Sequence, residues 1–230
     1  MNRYLRRSLI AFVAFAAVSA AAQAPRAGTD AARRDKNYYD PAAAPIVRSV
    51  ELNHLDRAIN LMQERRWQPA RADLEFMLRY VANHPQALAL LSDVCFKLKE
   101  PDCAQLYFDN ALRLYPETAS THSVYGTYLH RLGKVPQAIE SYKRALLINP
   151  KSAQTHYNLG LAYVDIKDYQ RANEEAQRAY AMGAELPGLR DKLIRAKQWN
   201  PSAAGSTAAH DPSGASKGTR STMDAPGSAR

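Results

Sequence analysis

Three of the six histidines, two cysteines and a handful of serines and acids are the residues of this 230-residue chain whose types and spacing could suit chemistry. His54, His122 and His156 are separated by whole multiples of one spacing, 34 residues. A zinc site wants an i, i+4 pair or convergent carboxylates, whereas this spacing puts each ring on a different helix at an equivalent slot. They read as packing residues. Ser92, Ser120 and Ser123 lack the Gly-x-Ser-x-Gly context of a nucleophile elbow. Glu174-Glu175 reads as the solvated face of a helix. There is no phosphate-binding loop and no dinucleotide fingerprint. The expectation is a protein that is not an enzyme, with no catalytic residues, cofactor or metal.

Composition narrows the classes further. An apolar content of 46% excludes a wholly disordered chain, and 13 Pro with 10 Gly exclude a collagen-like one. The formal net charge is +9, but bases and acids alternate through the middle, as in Arg71-Ala72-Asp73 and Lys99-Glu100. A nucleic-acid binder concentrates its cations, so no nucleic-acid partner is expected.

The N-terminus reads as an address. A basic leader, Met1 to Arg7, precedes an apolar run, Leu9 to Ala22, that ends in small residues. The run is shorter than the ~20 residues that span a bilayer. It predicts a cleaved signal peptide over 1–22 and a periplasmic or secreted protein, with cleavage after Ala20 or Ala22. Membrane attachment would then come only through an uncleaved signal or a partner. Residues 23–44 are expected as a flexible linker. Residues 200–230, poor in large apolar side chains, are expected as a disordered tail.

Between these lies a repeat. Ala70, Ala104, Ala138 and Ala172 are spaced by 34, as are Ala111, Ala145 and Ala179, Gly126 and Gly160, Pro116 and Pro150. Thr121-His122 recurs as Thr155-His156. Each unit reads as two amphipathic helices. His156, Leu159, Gly160 and Tyr163 share one helical face, Lys167-Asp168 turns the chain, and Ala172, Ala176 and Ala179 face inward on the second helix. The small residues permit close helix approach. Pro116 and Pro150 end second helices.

This pattern resembles the tetratricopeptide repeat, whose first helix carries large–Leu–Gly–aromatic and whose second carries Ala, aromatic, Ala and Pro. Unit 119–152 matches with Tyr125, Gly126, Leu129, Ala138, Tyr142, Ala145 and Pro150, and unit 153–186 with Leu159, Gly160, Tyr163, Ala172 and Ala179. Unit 85–118 keeps Leu91, Ala104, Phe108, Ala111 and Pro116. Unit 51–84 is the most degenerate, with Arg57-Ala58 for Leu-Gly and Pro85 displaced. A charged, amphipathic 187–199 reads as a capping helix. The resemblance implies an all-α fold, a right-handed superhelix of stacked antiparallel helix pairs, a TPR-like α-solenoid occupying 45–199.

Two expectations concern sites. Export into an oxidising compartment predicts a disulfide between Cys95, near the end of one helix, and Cys103, which Pro101 places in the first turn of the next. The resemblance implies a concave groove lined by first helices. Mapped by register, its residues are Asp93, Phe96 and Lys97; Ser123, Thr127, His130 and Arg131; Tyr157, Asn158, Leu161 and Asp165. Apolar anchors among separated charges suit a peptide or partner segment of another envelope protein. The Lys/Asn carboxylate clamp of chaperone-binding relatives is absent, since Leu55, Ile59, Ala89 and Asp93 occupy its slots. The function read from the chain is an interaction module or scaffold of the cell envelope, monomeric or weakly oligomeric. The alternatives are a non-catalytic subunit or regulator of an envelope enzyme, or a self-associating structural protein.

Overall fold

The computed structural model of the chain describes residues 34–201. The expected signal peptide, the first part of the expected linker and almost all of the expected tail lie outside the described residues. Ten α-helices follow one another among the described residues: α1 (Ala44–Val50), α2 (Asp56–Gln63), α3 (Trp67–Tyr80), α4 (Pro85–Lys97), α5 (Gln105–Leu114), α6 (Ala119–Arg131), α7 (Val135–Ile148), α8 (Ala153–Asp165), α9 (Tyr169–Ala181) and α10 (Gly188–Arg195). They form a solenoid of stacked antiparallel pairs, α2–α3, α4–α5, α6–α7 and α8–α9, with α10 closing the end.

Local chemistry sets the boundaries. Pro85 opens α4, and the His84 side chain accepts a hydrogen bond from the Ala87 N–H. Ser152 caps α8 through the Thr155 N–H, and Asp168 caps α9 through the Arg171 N–H. At the other ends, α5 stops at Leu114 and α7 at Ile148, just ahead of Pro116 and Pro150. Packing then follows the small residues. Ala70, Ala104, Ala138 and Ala172 are fully buried, which lets paired helices meet at close range. Gly126 faces the Tyr142 ring so closely that an added Cβ would stand 2.7 Å from it. A Cβ on Gly160 would stand 2.5 Å from Leu189 of α10 and 3.4 Å from the Ala172 carbonyl.

The sequence reading needs correction at five places. Residues 34–43, assigned to the linker, are ordered: Lys36 N–H donates to the Tyr80 carbonyl at 2.7 Å, and Tyr38 N–H to Asn83 Oδ1 at 2.7 Å. Asn83 is completely buried and also donates to Asn37 and Thr118, so this strap satisfies backbone and amide groups that hydrophobic pattern does not reveal. Second, the first helix of unit 51–84 is continued backward through a π-helical turn, Glu51–Leu55, into α1. Third, Pro101–Ala104 is a 3-10 turn and α5 begins only at Gln105. Fourth, the capping helix is confined to Gly188–Arg195. Fifth, Glu175 is buried rather than solvated, held by His156 and Arg178.

Cys95 and Cys103 form a disulfide across the α4–α5 turn, with Cα atoms 5.8 Å apart. The turns from first to second helix share another feature. Arg65, Lys99, Gly133 and Lys167, one per unit, adopt φ between 59° and 75°, and Lys197 after α10 has φ 57°. Only Gly133 has the residue type that this left-handed conformation favours.

Candidate functional site

The first helices α2, α4, α6 and α8 lie side by side and present equivalent slots at each unit. Between the first two units this face opens into a pocket of about 450 Å3, lined by Ile59, Met62 and Gln63 of α2, Trp67 at the start of α3, and Leu90, Asp93 and Lys97 of α4. Ile59, Met62, Trp67 and Leu90 are only partly buried, so an apolar floor stays open to a guest side chain. Asp93 and Lys97 supply charge of both signs at its rim. These two were expected from sequence. Ile59, Met62, Gln63, Trp67 and Leu90 were not, although Ile59 shares the slot of Asp93, Thr127 and Leu161, and Met62 that of Phe96 and His130. Extending the register into the degenerate first unit would have found Ile59, Met62 and Gln63, and Leu90 shares the slot of Asn158, but Trp67, on a second helix, matches no expected residue.

Seven of the other nine expected residues fall into three sets. Arg131 pairs with Asp93, and its guanidinium lies 4.1 Å from the centre of the Phe96 ring. That contact joins the second unit to the third. His130 Nε2 and Asp165 Oδ2 are 2.7 Å apart, and Lys192 of α10 reaches Asp165 at 3.3 Å. Partial burial would raise the Asp165 carboxyl, but hydrogen bonds from His130 and Lys192 outweigh it and hold the group below its ordinary value. The third set is structural. Thr127 Oγ1 accepts from Asn158 at 3.3 Å and from the Tyr142 hydroxyl at 3.2 Å, while Ser123 and Thr155 hydroxyls meet at 2.9 Å. Burial pushes the Tyr142 phenol up to about 12, so it stays neutral.

Tyr157 departs from expectation. It is 7% exposed and packs beneath α10, its hydroxyl 2.9 Å from where a Cβ on Gly188 would stand. The capping helix acts as the first helix of a further unit and covers it, so Tyr157 is not available to a partner. Leu161 is half-buried against the core.

The histidine slot also holds more than packing. His54 Nδ1 lies 3.0 Å from Asp73, and His156 Nδ1 lies 2.5 Å from Glu175, each pair bridging first and second helix of a terminal unit. His156 Nε2 lies 3.0 Å from the Pro150 carbonyl. Burial disfavours its charged form, yet the bonds to Glu175 and Pro150 outweigh that and raise its pKa. Both nitrogens face acceptors, so the protonated ring can donate to both at once. Among the described residues, no group of three or more His, Cys, Asp or Glu could hold a metal ion, and no helix is long and apolar enough to cross a membrane.

Models of the tetratricopeptide repeat match residues 55–119 and 153–182, and a TPR-repeat model matches residues 126–167. The chain belongs to the tetratricopeptide-repeat family. No curated protein matches it in sequence. Among solved structures, PilF of Pseudomonas aeruginosa is 19% identical, with a TM-score of 0.54 over 69% of this chain and 74% of its own. PilW, a widely conserved type IV pilus biogenesis factor, is 21% identical, with a TM-score of 0.54 over 65% and 71%. A thermophilic TPR protein of Thermus thermophilus is 22% identical, with a TM-score of 0.51 over 64% and 84%. At these identities the likeness is one of fold. Tetratricopeptide-repeat solenoids act as non-catalytic protein-binding scaffolds, and that general role is this protein's.

Proposed function

We propose that this tetratricopeptide-repeat protein is an exported scaffold that binds a peptide or partner segment of another envelope protein along its first helices. The supporting observation is the apolar pocket between units one and two. It is large enough for an aliphatic or aromatic side chain, and the charge of Lys97 at its rim can fix the register of a bound chain. At its edge Asp93 pairs with Arg131, and farther along the face Asp165 is held by His130 and Lys192. Affinity is therefore concentrated at the pocket, and the rest of the face shapes the path. The disulfide supports placement in an oxidising compartment.

Affinity capture from envelope extract with wild type, Met62→Glu and Lys143→Glu tests the binding reading. A partner lost with Met62→Glu and retained with Lys143→Glu is the expected result; the reverse pattern would remove the groove assignment. N-terminal sequencing of the envelope-fraction protein should begin at Ala21 or Gln23. Intact Met1 in the membrane fraction would replace export with anchoring.

A further inference from the structure

The turns from first to second helix carry a regular pattern of charge that the groove does not use. They hold four acids, of which three are already paired, Glu64 with Arg66, Glu100 with Arg71, and Asp168 with Arg171, while Asp102 belongs to the 3-10 turn Pro101–Ala104. Each turn also carries one cation outside these pairs: Arg65, Lys99, Lys134, Lys167 and, after α10, Lys197. All five are exposed, and none makes an ion pair among the described residues. The opposite edge of the stack differs. Its turns, 81–84, 115–118, 149–152 and 182–187, hold Lys151, Glu185 and a Glu117 that pairs with Arg144. The two edges of one solenoid therefore differ in charge although the whole domain is nearly balanced.

The backbone makes the pattern more specific. Arg65, Lys99, Lys167 and Lys197 all occupy positive φ, where glycine is preferred. A cation near a helix C-terminus interacts favourably with the macrodipole, but positions within the last helical turn would give that without backbone strain. In the third turn glycine does take the left-handed position, as Gly133, and the cation stands beside it as Lys134. The chain keeps one cation at every turn whichever residue takes the strained place.

We propose that this edge is a second binding surface, separate from the groove, for an extended acidic segment of a partner protein. Packed helices lie about 8–10 Å apart, so the cations recur at about that interval. A chain in the extended polyproline II conformation advances about 3.1 Å per residue with three residues per turn, so carboxylates at every third residue lie on one side about 9 Å apart and each meets one cation per unit. Single cations at this spacing do not make the dense cluster that anionic membranes or a nucleic-acid backbone require.

The test uses the full chain and a triple variant, Arg65→Gly, Lys99→Gly, Lys167→Gly. Glycine suits those backbone angles, so the variant folds, with a melting temperature equal to or above that of wild type. The probe is a labelled peptide bearing glutamate at every third position, followed by fluorescence anisotropy at low and high salt. A peptide of the same composition with its glutamates clustered serves as comparison. Wild type should bind the spaced peptide better than the clustered one, in a salt-sensitive manner, and the glycine variant should lose about tenfold in affinity or more. A control, Lys36→Ser, Arg113→Ser, Lys151→Ser, removes equal charge elsewhere and should bind as wild type does. No binding by wild type, or an equal loss in the control, overturns the proposal. So does a glycine variant that binds the peptide normally while losing binding to phosphatidylglycerol vesicles or to a single-stranded oligonucleotide, because the edge would then serve another class of ligand.

Discussion

Gly126 shows what a single residue does in this stack. Its missing Cβ leaves room for the Tyr142 ring, which is itself fully buried and has no space to retreat. Gly126→Ala should therefore destabilise the protein by about 1–3 kcal/mol, the usual cost of overpacking, read as a lower urea midpoint with the slope unchanged. The His156–Glu175 pair acts through charge. His156 has a raised folded-state pKa, so its contribution is complete below the unfolded value, about 6.5, and fades as pH rises through the folded one. The stability difference between wild type and Glu175→Gln, measured in urea across that range, should shrink as pH increases. A difference that grows with pH would mean that His156 is held neutral. The Gly126 site was legible in sequence because glycine recurs at Gly160. The His–acid pairs were not, because His156 and Glu175 are 19 residues apart on different helices and meet only once the hairpin closes.

At the scale of the element, the α4–α5 hairpin combines a 3-10 turn, the strained Lys99 and the Cys95–Cys103 bridge. The closed loop is short, so the bridge should stabilise by about 2–3 kcal/mol on the chain-entropy estimate. Thiol counting on unfolded, unreduced protein should find no free thiol, and reduction should lower the melting temperature without abolishing helical content. Helix identity was readable throughout from the apolar period, but helix limits were less so. Pro101 is compatible with both an α and a 3-10 start, and residue type alone does not choose between them. Likewise, nothing in the local pattern of Asn37 or Tyr38 announces the strap. Its order comes from Asn83, a buried amide about 45 residues away, whose hydrogen bonds need partners.

In the whole molecule, stability is carried by neighbour contacts between units, so the ends matter most. Leu189 and Leu193 of α10 are fully buried, and Leu189 fills the space above Gly160. Leu189→Ala should cost about 2–5 kcal/mol, and hydrogen exchange should show α8 and α9 losing protection while α4 and α5 keep theirs. Uniform loss across the stack would mean that the solenoid unfolds as one block. The period of 34, the helix pairs, the small residues between them and the disulfide partners were all determined by the amino-acid sequence itself. Those features rest on spacing along the chain, which composition and periodicity encode directly. Tertiary structure alone decided that α10 buries Tyr157, that Asp93 and Arg131 satisfy one another, that the open apolar pocket lies between the degenerate first unit and the second, and that one cation in each first-to-second turn is left without an ion pair. Each depends on which side chains from different units meet after stacking, and a one-dimensional pattern holds no record of which charges are already satisfied.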